Sequence, residues 1–163
     1  AGEVFVEKNI QKHLICRAGW MMGAGPKKDK KFVQKIMQQI KDGKKELFIV
    51  NDKLGTPTYT HDFAQNVKLL LEKEYWGLYN MVCGGITGRF EVAEELIKIL
   101  KLEDDVKVIP VDSSYWKKEY YAERPPSERL VDKKLELRGV NVMRDWKICL
   151  EEYIRDYYTD YLN

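Results

Sequence analysis

Short apolar runs alternate with amphipathic stretches along this 163-residue chain, and that alternation restricts the fold more than any other feature. HLICR (13–17), LFIV (47–50), LYNMV (78–82) and VKVIPV (106–111) are compact apolar runs of strand length. Between them lie patterns of helical period. Phe32, Val33, Ile36, Met37 and Ile40 form one stripe, with Asp29 placed to cap it and Gly43 to stop it. Phe63, Val67, Leu70 and Leu71 form a second, with Thr60 as its cap and Asp62 in its first turn. Phe90, Ala93, Ile97 and Leu100 form a third, which Thr87 can cap. Residues 1–11 read as the tail of a helix. The last helix starts near Asp145 and carries Trp146, Cys149, Leu150, Tyr153, Ile154 and Tyr157. AGWMMGAGP, NDKLGTPTY and CGGITG read as loops. Strands separated by helices imply an α/β fold with parallel strands, and ligands of such folds sit beyond the carboxyl ends of the strands.

Composition narrows the function. Apolar residues make up 44% and charged residues 33%, which suits a globular chain. Lys and Arg number 28 against 26 Asp and Glu, a net charge of +2, so no dedicated nucleic-acid surface is expected. No apolar run approaches the roughly 20 residues of a membrane helix, and no signal segment opens the sequence. Cys16, Cys83 and Cys149 are widely spaced, and His13 and His61 are the only histidines. Neither a disulfide framework nor a metal site is expected, and a reducing cytoplasm is the simplest compartment. The chain begins at Ala1 directly on a helix-like stretch, which reads as a cut start.

The residues name few candidates for chemistry. Gly23-Ala24-Gly25 lacks the third glycine of a dinucleotide fingerprint, and Gly84 to Gly88 fits no phosphate loop. Trp20, just past the first strand, reads equally as a sugar-stacking residue or a core residue. His61 reads as exposed and Asp62 as a helix-dipole partner. Lys27, Lys28, Lys30 and Lys31 read as a solvated loop. Arg124, before Pro125-Pro126, is placed to clamp a diphosphate or to form a surface ion pair. No catalytic triad, Cys-His pair or P-loop is present, so the residues alone give an α/β domain with a ligand edge and no reaction.

Four strings resemble one family. HLICRAGWMMG is similar to the R-T-x-W-x-(Y/F)-G of dTDP-4-dehydrorhamnose reductases. NDKLGTPTYTHDFA resembles their D-x-x-G-x-P-T-x-x-x-D-(L/F)-A. LYNMVCGGITGRFEVAEEL, preceded by Gly77, resembles their strand, turn and helix G-(I/L)-Y-(N/H)-x-x-x-x-G-x-x-x-(W/R)-(Y/F)-E-(F/V)-A. AERPPSERL resembles R-P-x-x-S-x-L. The strings run in the family's order over essentially the whole chain.

The resemblance implies the C-terminal part of a Rossmann-like NAD(P)-binding sheet plus the small substrate-binding lobe of an extended short-chain dehydrogenase/reductase. Residues 1–163 would be mostly that lobe, with residues 1–20 and some later segments completing the nucleotide-binding sheet. Ala1-Gly2-Glu3 matches the end of the string that follows the family's catalytic Y-x-x-x-K, so catalytic residues are expected upstream and none here. The intact enzyme would reduce the 4-keto group of dTDP-4-dehydro-L-rhamnose with NADPH or NADH, and the segment by itself would be inactive. Trp20 and Arg124 match substrate-side positions. Cofactor contact from this segment falls at Arg17, Ala18 and Gly19 if anywhere. Ala18 and Gly19 stand where the family commonly has Thr or Ser, and Met22 replaces an aromatic residue. The partners implied are a nucleotide sugar and the missing N-terminal half. An exposed strand edge adds a homodimer. A non-catalytic regulatory subunit of the same fold, or a sugar-nucleotide epimerase or dehydratase, are the alternatives.

Overall fold

The computed structural model describes residues 2–116 and 125–162. Its elements are α1 (Gly2–Asn9), β1 (Leu14–Arg17), β2 (Trp20–Met22), α2 (Phe32–Lys41), β3 (Glu46–Val50), β4 (Pro57–Tyr59) and α3 (Thr60–Glu72). There follow β5 (Gly77–Asn80), α4 (Arg89–Ile99), β6 (Lys107–Val111), a single 3₁₀ turn (Ser113–Trp116), α5 (Lys133–Leu137) and α6 (Trp146–Tyr158). The strands pair as β1 with β5, β2 with β4 and β3 with β6, every pair parallel. Parallel partners need a crossover between them, and the helices supply it. The α/β expectation holds.

Two of the pairs form one strip. The chain leaving β5 donates from Met81 N to Arg17 O at 2.8 Å and from Cys83 N to Pro57 O at 2.9 Å, so it passes from β1 to β4. Buried Thr58 fastens the same seam. Its hydroxyl accepts from Gly19 N at 2.8 Å and donates to Met81 O at 3.3 Å.

Two apolar clusters hold the helices. One joins Val33, Ile36 and Met37 of α2, Leu47 and Ile49 of β3, Leu96 of α4 and Leu150 of α6. The other joins Leu70, Tyr79, Met81, Leu135 and Val140 beneath α3 and α5. On β3 the alternation is the strand period at work: Leu47 and Ile49 face the core while Phe48 and Val50 face away, half-buried.

Several local expectations are corrected. AGWMMGAGP and NDKLGTPTY are not wholly loop, because each contains a three-residue strand, and these two strands pair with each other. Asp29 is not the cap of α2. The cap position is Lys31, and buried Asp29 accepts from Lys31 N at 2.7 Å and from the Tyr153 hydroxyl at 2.8 Å. Thr60 is the first helical residue of α3 rather than its cap, and its side chain fills the space over Gly23. Gly88, not Thr87, is the cap position of α4, with the Glu91 carboxylate accepting from Gly88 N at 2.8 Å. Leu71 and Tyr157 are exposed, and Tyr158 takes the buried place near the end of α6. Gly43 does terminate α2, at φ 81°, and Asp145 does cap α6, accepting from Lys147 N at 2.9 Å.

Asp132, at the start of α5, is buried and accepts from Val82 N at 3.0 Å. Burial outweighs that bond and pushes its carboxyl up to about 6. The folded chain therefore holds a proton there that the unfolded chain has released. Between about pH 4 and 6 this group's contribution to stability falls as pH rises, and above 6 its full cost remains. An Asp132→Asn variant keeps an oxygen for Val82 N and removes the charge. It is expected to raise stability by on the order of 1–2 kcal/mol at pH 8 and by little at pH 4, measured by urea unfolding at both.

Candidate functional site

The four strings that lie far apart in sequence meet in space around Trp20 and Leu54. Trp20 opens β2 one turn past the end of β1, and its backbone N donates to Thr56 O at 3.1 Å. The loop after β3 brings Gly55 beneath the indole. A Cβ on Gly55 would lie 2.2 Å from Cζ2 of Trp20, so glycine is required for the ring to sit there. Leu54 then links outward to both remaining strings. It bridges Gly88 at the start of α4 and Ser127 after the Pro-Pro pair. Leu54 N donates to Pro126 O at 2.9 Å, and Glu128 N donates to Leu54 O at 2.8 Å.

Charged side chains surround the indole. The Trp20 Nε1–H donates to Glu128 Oε2 at 3.1 Å. The Arg89 guanidinium lies 4.9 Å from the centre of the Trp20 ring and 5.8 Å from that of Phe32, at the first turn of α2. Both distances allow a cation–π attraction. Trp20 and Arg89 are half-buried, so the cluster sits at the edge of the strand strip rather than inside the core. An open cleft of about 370 Å³ lies at the end of β2, lined by Met21, Met22, Gly23, Lys28, Asp29 and Thr60 among others.

The other expected positions fall as follows. Arg17 ends β1 with its Nε donating to Glu3 Oε1 of α1 at 2.8 Å, so its guanidinium is engaged within the chain. Ala18 and Gly19 form the half-buried link into β2, and a Cβ on Gly19 would strike Thr56 O at 2.2 Å. As a nicotinamide contact these residues offer a small, close-packed surface and little polar grip. Arg124 lies outside the described residues. Lys27, Lys28, Lys30 and Lys31 are exposed, in keeping with a solvated loop. Among the described residues no group of three His, Cys, Asp or Glu side chains is placed to hold a metal, and no helix is long and apolar enough to cross a membrane.

Asp62 departs from its expected role. It is 3% exposed rather than a surface dipole partner, and two nitrogens of Arg144 grip it at 2.7 and 2.9 Å. Arg144 also holds Glu152 of α6 at 2.6 Å, and the Cys149 thiol donates to Asp62 at 3.3 Å. Burial alone would raise the Asp62 carboxyl. The bonds from Arg144 outweigh it and hold the group below the usual carboxylate range. The bonds from Arg144 lower Glu152 as well. His61 beside it is exposed. This trio ties α3 to α6 and is a structural clamp.

Sequence reasoning missed Arg89, Phe32, Glu128 and the Asp62–Arg144–Glu152 clamp. Arg89 and Glu128 lie within the strings, whose order says that they belong together but not that they touch; Phe32 lies in none of them and reads only as part of the α2 stripe. Nothing local marks Arg144 as the partner of a residue 82 positions away.

Parallel strand pairs crossed over by helices, with a half-buried tryptophan at the start of β2, define an α/β domain. Residues 1–159 match the RmlD substrate binding domain, and the chain belongs to that family. It is similar to the spore coat polysaccharide biosynthesis protein SpsK of Bacillus subtilis, at 28% identity over 95% of this chain and 51% of that protein. In structure it resembles a dTDP-4-dehydrorhamnose reductase from Clostridium acetobutylicum, with TM-score 0.83 and 32% identity, covering 94% of this chain and 52% of that one. It also resembles the dTDP-4-dehydrorhamnose reductase of Bacillus anthracis solved in complex with NADP, with TM-score 0.85 and 26% identity, covering 96% of this chain and 53% of that one. The chain thus spans about half the length of each of these proteins.

Proposed function

We propose that this chain is the substrate-side part of a nucleotide-sugar oxidoreductase that reduces the 4-keto group of dTDP-4-dehydro-L-rhamnose to give dTDP-L-rhamnose. The observation that carries this reading is the convergence of the four strings on Trp20 and Leu54, in a chain whose relatives include dTDP-4-dehydrorhamnose reductases. A nicotinamide cofactor, when bound, supplies the hydride. This chain's residues bind and orient. Trp20 presents a broad apolar ring for the sugar. Arg89 places a positive charge beside that ring, which suits the diphosphate of a nucleotide sugar. Gly19 and Gly55 let backbone and indole approach closely, which fixes the ring's position and excludes water beneath it. The proton donor is assigned to the remainder of the enzyme. The sequence given contains no Y-x-x-x-K and no G-x-x-G-x-x-G.

The test is coenzyme consumption. Full-length protein given dTDP-4-dehydro-L-rhamnose is expected to oxidise NADPH or NADH, while residues 1–163 alone leave the coenzyme untouched. Absence of oxidation by the full-length protein with either coenzyme contradicts the reading.

A further inference from the structure

We propose that Glu128 is a positioning residue for Trp20, fixing the indole against which the nucleotide sugar is held; this rests on the function proposed above. In the string R-P-x-x-S-x-L, Arg124, Pro125 and Leu130 fall on the fixed letters, and Glu128 stands where the pattern has serine. A carboxylate reaches further than a hydroxymethyl group, and here it reaches the indole nitrogen at 3.1 Å. Its backbone is fastened from both sides. Leu54 accepts from Glu128 N at 2.8 Å and donates to Pro126 O at 2.9 Å, so the carboxylate is delivered from a fixed point.

An indole has one donor and no acceptor, and here that donor is spent on Glu128. Two consequences follow. The ring cannot turn about its own bonds without breaking a charge-assisted hydrogen bond in a half-buried place. And Trp20 meets the sugar through ring contact rather than through its N–H. Arg89 over the ring supplies the opposite charge, so the carboxylate does not leave the indole edge uniformly negative toward an anionic ligand. Gly55 closes the approach from a further direction.

A double-mutant cycle on binding of dTDP-L-rhamnose to the full-length protein tests this. Trp20→Phe and Glu128→Ala are each expected to weaken binding about tenfold, and the double variant by no more than either alone. Glu128→Gln, which keeps the acceptor, is expected to stay within about threefold of the wild type. The Trp20 indole N–H resonance should shift in both Glu128 variants. Losses that multiply in the double variant, Glu128→Ala binding like the wild type, or Glu128→Gln binding as weakly as Glu128→Ala would each overturn the assignment. If Glu128→Ala fails to fold, Glu128→Met, which keeps the side chain's length and removes the acceptor, takes its place in the cycle. A wild-type protein that does not bind dTDP-L-rhamnose refutes the proposed function, and this assignment with it. Tight wild-type binding with multiplying losses refutes this assignment alone.

Discussion

Replacing Trp20 by Ala in the full-length protein is expected to lower kcat/KM for dTDP-4-dehydro-L-rhamnose by about 10- to 100-fold while leaving binding of the nicotinamide coenzyme unchanged. The magnitude follows from what the ring does. Loss of an aromatic contact together with its orienting hydrogen bond removes roughly 1.5–3 kcal/mol of selective binding. The effect is larger than a bare stacking loss because Trp20 is a hub. Its ring is bonded to Glu128, faced by Arg89 and closely approached by Gly55. Without it, the ends of three of the four strings lose their common neighbour. Coenzyme binding is expected to be spared because the proposed role of Trp20 is ring contact with the sugar, not with the coenzyme. Steady-state kinetics with coenzyme and sugar varied in turn separate the two. An unchanged kcat/KM would remove Trp20 from the site.

The second large effect is on stability. Arg144→Ala leaves the buried Asp62 carboxylate without its guanidinium partner and frees Glu152 from α3. Breaking such a pair from one side costs about 3–5 kcal/mol. For a domain of this size that lowers the melting temperature by on the order of 10 °C. The pH dependence has a definite sign. Asp62 and Glu152 are both held below their ordinary values when folded, so their contribution is fully present above about pH 4.5 and is lost as pH falls through the folded values. Acid unfolding of the wild type should therefore be steep below that pH, and flatter in Asp62→Asn. Thermal unfolding at pH 7 and at pH 3.5 checks both statements. A melting temperature within 2 °C of the wild type for Arg144→Ala at pH 7 would show that the clamp contributes nothing.

The periodic helices and the four apolar strands were legible because each carries its own pattern. Gly43 and Asp145 could be placed because a stop and a cap are local devices. β2 and β4 were not legible. Each is three residues long, too short to show a period, β2 lying between two glycines and β4 opening on a proline, and each exists because the other lies beside it 37 residues away in sequence. The buried face of α3 misled for a different reason. Asp62 and Asn66 sit where apolar residues are expected, because distant groups satisfy them. Asn66 donates to Val140 O at 3.0 Å and accepts from Val142 N at 2.9 Å. A polar residue is admitted to a core when its partners arrive from elsewhere in the chain, and sequence position does not announce those partners. The candidate site shows the same division. Trp20 stood out by its place after a strand, whereas Arg89 and Glu128 gain meaning only once Leu54 has drawn their segments together.

The four strings are proposed to build one nucleotide-sugar site, and a crystal structure of the full-length protein with dTDP-L-rhamnose bound decides whether they do. The sugar is expected against the Trp20 ring, with the diphosphate on the Arg89 side and the indole N–H still held by Glu128. A nucleotide sugar bound elsewhere, with Trp20, Arg89 and Glu128 out of contact with it, would show that these residues do not form its site.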